Sequence, residues 1–151
     1  MNYLMIKKQK CSVIDVAHYI VDIYTRENKP VPLMHLQFII YFVFGEYYKI
    51  TGKELFDENI YLDVYGISIP EVFDEYRWNG ITPICDLYSN IAINKETKNI
   101  IYPIIKKYRE YDEWRLYDKI KETGGLWDRN YKGYRELVSH FLIYKYFKGM
   151  D

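Results

Sequence analysis

The segment Leu33–Phe44 constrains the fold of this 151-residue chain more than any other feature. Leu33, Leu36, Gln37, Ile40, Tyr41 and Phe44 recur at helical spacing, and Phe38, Ile39, Phe42 and Val43 occupy the remaining sides. A helix that is apolar around most of its circumference has no solvent face and must be surrounded. Its longest uninterrupted apolar run, Phe38–Phe44, falls far short of the roughly 20 residues of a membrane span. What surrounds it is therefore protein. Pro32 is placed as the first residue of this helix, where a missing N–H costs nothing, and Gly52 is placed as its C-terminal cap after Thr51.

The other elements read as a shell around this rod. Ser12 and Asp15 form an approximate capping box before Val13, Val16, Ala17, Ile20, Val21 and Tyr24, which predicts a first helix over residues 12–27. Ile60, Leu62 and Val64 alternate with Tyr61, Asp63 and Tyr65, the pattern of a short strand broken by Gly66. Pro70 opens a helix over Glu71–Asn79 that Gly80 closes, and Glu71, Asp74 and Glu75 suit its N-terminal turn. Residues 81–88 read as a second short strand or an extended loop around Pro83. Ile100, Ile101, Ile104, Ile105 and Tyr108 share a helical face, with a kink or a helix start expected at Pro103. Trp114, Tyr117 and Ile120 mark a further helix stopped by Gly124–Gly125, and Leu126–Asp128 reads as a connection. Tyr134–Phe147 reads as a final helix with Leu137, Val138, Phe141, Leu142 and Tyr144 on its apolar side. The expectation is a mainly α (α+β) single domain over residues 1–151. It has about six helices around a central buried helix and a small two- or three-stranded β element.

Composition narrows the function classes. Hydrophobic residues make up 49% and charged residues 28%, the balance of a globular chain. The 21 basic and 21 acidic side chains cancel, which argues against a protein dedicated to coating nucleic acid. The charge is nevertheless uneven. Residues 46–94 carry three basic and nine acidic side chains, and residues 95–148 carry thirteen basic and eight acidic ones. Attraction between the halves is the simpler account, and an acidic surface for a basic partner is the functional one. The 18 tyrosines beside only two alanines fit either AT-rich codon usage or a tyrosine-rich binding face. The start Met1–Lys10 places its charges after a very short apolar stretch, the reverse of a secretory leader, so a cytoplasmic location is expected. Cys11 and Cys85 fit that compartment as free thiols.

No pattern of catalysis stands out. His18, His35 and His140 have no His or Cys partner at ligand spacing, and Gly124–Gly125 lacks the Lys and Ser/Thr of a phosphate loop. Adjacent acids such as Asp57–Glu58, Asp74–Glu75 and Asp112–Glu113 point in different directions on a helix. No catalytic, cofactor or metal residue is assigned, and no enzyme activity is expected. Lys106-Lys107-Tyr108-Arg109 and Arg129-Asn-Tyr-Lys132 mix cations with rings, which keeps a nucleic-acid-binding regulator using the basic C-terminal half as the alternative function.

One set of motifs is more specific. Leu33-Met-His-Leu-Gln-Phe-Ile-Ile-Tyr-Phe-Val-Phe-Gly45, Thr51-Gly-Lys-Glu-Leu-Phe-Asp57, Tyr65-Gly66 and Pro70-Glu-Val-Phe73 together resemble the Panacea domain, the SocA-like antitoxin or phage-associated protein family. Ile14–Ile20 resembles the first helix of that family, and Gly124-Gly-Leu-Trp127 resembles its late Trp segment. The resemblance covers residues 13–147. Asp63, Ile67, Glu46 and Leu126 stand where the family has Trp, Pro, Trp and Pro, so the chain resembles a divergent member. On the residues themselves, Leu36, Gln37, Tyr41, Gly45, Leu55, Phe56, Gly66 and Pro70 read as makers of the fold. The resemblance implies a protein-binding antitoxin that neutralises a cognate toxin by direct contact. The toxin would be encoded nearby on a prophage or other mobile element, and some relatives deliver it to a protease as adaptors. No membrane partner is expected. Tyr47, Tyr48, Tyr61, Tyr65, Tyr76 and Trp78, near the acidic region, are the candidate contacts. Trp127 is a second candidate, with a buried structural role favoured for it.

Overall fold

The computed structural model of the protein describes residues 10–150. The reading of Met1–Gln9 as lacking a leader lies outside the described residues. Helix α1 runs Val13–Arg26 and opens on the expected capping box: Asp15 N–H donates to Ser12 Oγ (3.0 Å), and Ser12 N–H donates to Asp15 Oδ2 (3.1 Å). Val13, Val16, Ala17, Ile20, Val21 and Tyr24 are all buried, as their spacing requires. Helix α2, Leu33–Thr51, is the central rod, buried without interruption from Leu36 to Gly45. Pro32 stands at its N-cap, one residue before the expected place, and Gly52 ends it with φ of 72°.

The sheet has three strands, β1 (Ile60–Asp63), β2 (Gly66–Ser68) and β3 (Glu136–Val138), in the antiparallel order β2-β1-β3. Ile60 and Leu62 face the core as alternation predicts, but Val64 lies at the exposed hairpin turn with Tyr65. Asp63 Oδ1 accepts from Tyr65 N–H (2.9 Å), and Gly66 leaves the turn with φ of 111°, a conformation that favours glycine. Helix α3 (Pro70–Tyr76) has Pro70 at its first position and is continued by a single 3₁₀ turn, Arg77–Asn79, up to Gly80. Beyond it, Val31–Ile84 is the single bridge made by residues 81–88, so this stretch is an extended loop rather than a strand.

One open alternative is decided and two expectations are corrected. Helix α4 spans Lys95–Arg109, with Pro103 inside it rather than at its start. Proline removes the bond to the carbonyl four residues earlier. Both Pro103 and Asn99 are exposed, so that carbonyl belongs to the watered side. Helix α5 (Glu113–Ile120) buries Leu116 and Ile120 but leaves Trp114 exposed, and Leu126–Asn130 is a short helix, α6, rather than a connection. Tyr134–Phe147 is not one helix. Glu136–Val138 pairs with β1, and helix α7 begins only at His140 and runs to Lys148. Its buried side is Ile143, with Phe147 packed on the core, whereas Leu137 and Phe141 are exposed.

Helices α1, α3, α4, α5 and α7 and strand β2 all pack on α2. Two motif residues explain how α2 organises them. Gly45 lets the Phe147 ring of α7 lie against the α2 backbone. Gln37, buried on α2, accepts from Ile69 N–H at 2.8 Å and so fixes the junction between β2 and α3. Gln37→Leu leaves that N–H buried without an acceptor, and denaturant titration should show a loss of about 1–3 kcal/mol. Leu36, Tyr41, Leu55 and Phe56 are core residues as expected.

Candidate protein-binding surface

The segment following β2 combines an anchored base with an exposed tip. Val72 and Tyr76, one turn apart on α3, face α1 and the core. Tyr76 is only 2% exposed, so its place among the candidate contacts is corrected: it is a core residue. The i, i+4 pairing of Val72 with Tyr76 was the sequence signal for this. The Tyr76 hydroxyl lies 2.7 Å from that of Tyr88, and burial first, then this bond, pushes its pKa far above the ordinary tyrosine value. Tyr88 is a clamp for the returning loop. Its N–H donates to Asp22 Oδ1 of α1 (2.9 Å), and its ring stacks on His18 with centroids 3.9 Å apart. His18 Nε2 lies 2.6 Å from Glu75 Oε2, which ties α3 to α1 from the other side.

Between these fixed points the chain turns outward. Trp78 is 86% exposed and Ile81 is 95% exposed, and Phe73 and Leu87 are also open to solvent. Tryptophan is highly buried on average, so an indole this open, with an isoleucine three residues on, makes this segment the candidate contact surface. The Arg77 guanidinium lies 5.0 Å from the Trp78 ring centre. Glu71, Asp74 and Glu75 are all exposed on α3 at i, i+3 and i+4 spacing, and Asp86 follows in the loop. Among the described residues no cation lies within ion-pair distance of Glu71, Asp74 or Asp86.

The other acids of the negative half are used inside the fold. Glu46 meets Lys107 (3.1 Å), Glu54 meets Lys10 (3.2 Å) and His140 (2.9 Å), and Asp57 meets Lys10 (2.7 Å). Attraction between the two halves thus accounts for Glu46, through Lys107, but not for the acids beside Trp78. One of the two cation-and-ring segments of the basic half is used in the same way. Lys106 and Arg109 both pair with Glu27, and Tyr108 is buried, so Lys106–Arg109 does not form an open patch of cations and rings.

The remaining candidates fall in two other places. Tyr61, Tyr65 and Trp127 come together around the β1–β2 hairpin. The Trp127 ring N–H donates to the Asp63 carbonyl (2.9 Å), Lys121 donates to the Val64 carbonyl (2.5 Å), and Arg135 lies 4.1 Å over the Tyr61 ring. Trp127 is half-buried and stacked on Tyr131, the structural role favoured for it. Tyr65 is exposed at the tip. Tyr47 and Tyr48 lie near the C-terminal end of α2, half-buried, with Tyr48 against Tyr144 of α7. Ile81, Phe73 and Leu87 were missed because single exposed apolar residues look the same in sequence as buried ones.

All three histidines have structural partners. His140 Nδ1 faces Glu54 and its Nε2 lies 2.8 Å from the Glu58 carbonyl. His35 Nε2 lies 3.0 Å from the Tyr111 carbonyl, at an open cleft of about 290 Å³ also lined by Tyr24, Lys29 and Asp112. Burial of His35 holds its pKa below the ordinary 6.5, although the Tyr111 carbonyl and the Asp112 charge push the other way. A folded-state pKa below the unfolded one means that the unfolded chain binds the extra proton first. His35 therefore removes stability as pH falls below about 6.5. In melts taken between pH 7 and pH 5, His35→Gln should show a shallower loss of stability than the parent. Cys11 is partly buried with its thiol pushed up to about 12, chiefly by burial, and Cys85 is exposed; both are free.

Among the described residues, no group of three or more His, Cys, Asp or Glu is placed to hold a metal ion, and no helix is long and apolar enough to cross a membrane. No protein-family model, curated protein or solved structure matches this chain.

Proposed function

We propose that this protein is an antitoxin-like binding domain that neutralises a cognate toxin by direct contact, with the segment from Phe73 to Leu87 as its contact surface. The observation that carries this reading is the pairing of an open indole, Trp78, with a loop clamped at Tyr88. An anchor residue on a pre-ordered loop binds without a large ordering cost. The motif resemblance supports the antitoxin role, since Gln37, Gly45 and Gly66 each do the packing or turning work that a shared fold would require. The test is co-expression with the protein encoded by the adjacent gene. The expected result is that the neighbour alone arrests growth, that this chain restores it, and that the two co-purify. A harmless neighbour that does not co-purify overturns the reading.

A further inference from the structure

The surface around Trp78 and Ile81 carries a chemistry that specifies its partner. Glu71, Asp74 and Glu75 follow one another along α3, with Asp86 in the loop, and Arg77 is the one cation of residues 71–90. Side chains at i, i+3 and i+4 stand about 5–6 Å apart at Cβ. Glu75 is held by His18 and the Arg77 guanidinium approaches the Trp78 ring, which leaves Glu71, Asp74 and Asp86 as charges without an ion-pair partner among the described residues, in the same segment as a largely exposed indole. Negative charge together with an exposed flat ring is what a nucleic-acid strand offers to a protein: phosphates for lysines and arginines, and a base that stacks. A second copy of this chain is a poor occupant, because a two-fold contact would set these carboxylates against themselves. A basic surface with a slot for a planar ring is the complementary one.

We infer that the partner surface covered by the Trp78 segment is a nucleic-acid-binding surface, so that this chain and nucleic acid exclude one another there. The inference rests on the proposed binding of a toxin through this segment. Exclusion of this kind neutralises the partner without any covalent step.

The experiment uses the purified full chain, the purified product of the adjacent gene, and a labelled single-stranded DNA of about 20 nucleotides. Three results are expected. The chain displaces the oligonucleotide from the neighbour protein. Its affinity for that protein falls at least tenfold between about 50 and about 200 mM salt. The exposed double variant Glu71→Lys/Asp74→Lys, which breaks no hydrogen bond among the described residues, loses at least tenfold in affinity at the lower salt while it still melts cooperatively, with only the small downward shift that cations at a helix N-terminus cause. A ternary complex of chain, neighbour and oligonucleotide overturns the inference. So does a neighbour that binds and is neutralised but does not bind the oligonucleotide; in both cases the antitoxin reading stands. Dimerisation of the chain alone that Trp78→Ala abolishes would assign the surface to a second copy and overturn it too. A neighbour that neither binds nor arrests growth removes the antitoxin reading and this inference together.

Discussion

Gly45→Leu should leave the chain largely unfolded or insoluble. Gly45 sits mid-helix on α2, and even a Cβ placed there would lie 2.3–2.4 Å from ring atoms of Phe147. That ring is partly buried and packs edge-on against Tyr41, Phe42 and Tyr146, with Tyr41 and Phe42 themselves buried, so moving it aside breaks these contacts. Overpacking a well-filled core costs about 1–3 kcal/mol for added methylenes. A leucine adds four carbons to a site that does not accept the first, so the loss exceeds that range and takes much of the ~5–15 kcal/mol that holds a domain together. Gly45→Ala is the graded version. Alanine gains about 1 kcal/mol in helix propensity, which offsets part of the clash. Pairing it with Phe147→Leu should recover stability beyond the sum of the two single effects, a coupling that a double-mutant cycle with chemical denaturation reads directly. Equal melting temperatures for the parent and Gly45→Leu would mean that α7 does not dock at this crossing.

How far the sequence goes can be judged at particular residues. The central helix was legible because nearly every side chain from Leu36 to Phe44 is apolar, and only complete burial satisfies such a rod. Helix α1 was legible from its capping box, and the β1–β2 hairpin from alternation and Gly66. Strand β3 was not, for a physical reason. It is three residues long, and its partner Ile60–Leu62 lies more than 70 positions earlier, so nothing local distinguishes it from the start of a helix. Pro103 left a kink or a helix start open, and the helix runs through it, because a proline is tolerated where the carbonyl it leaves unpaired is on the watered side of the helix. The candidate surface was half legible. Trp78 was named and is open, but Tyr76, two residues away, is core, and the clamp of Tyr88 on Asp22 and His18 joins positions 66 and 70 residues apart.

Trp78→Ala combined with Ile81→Ala is the second large expected effect. Both side chains are almost wholly solvated, so their removal should change folding stability by no more than about 0.5 kcal/mol. Their effect on binding should be far larger. A tryptophan anchor at the centre of an interface contributes about 2–4 kcal/mol, which is about 30-fold to 1,000-fold in affinity. A loss of binding with an unchanged melt is the signature of a contact surface, and a loss of both would place Trp78 in a structural role.

The growth assay with the adjacent gene product tests this assignment most directly when two indoles are compared in the same background. Trp78 and Trp114 are both exposed, one beside the acidic face of α3 and the other on α5 in the basic half. The account predicts that Trp78→Ala/Ile81→Ala no longer restores growth while Trp114→Ala restores it like the parent, with all three chains equally folded. Rescue by the Trp78/Ile81 variant together with failure of Trp114→Ala would contradict it and move the contact surface to the other side of the molecule's charge divide.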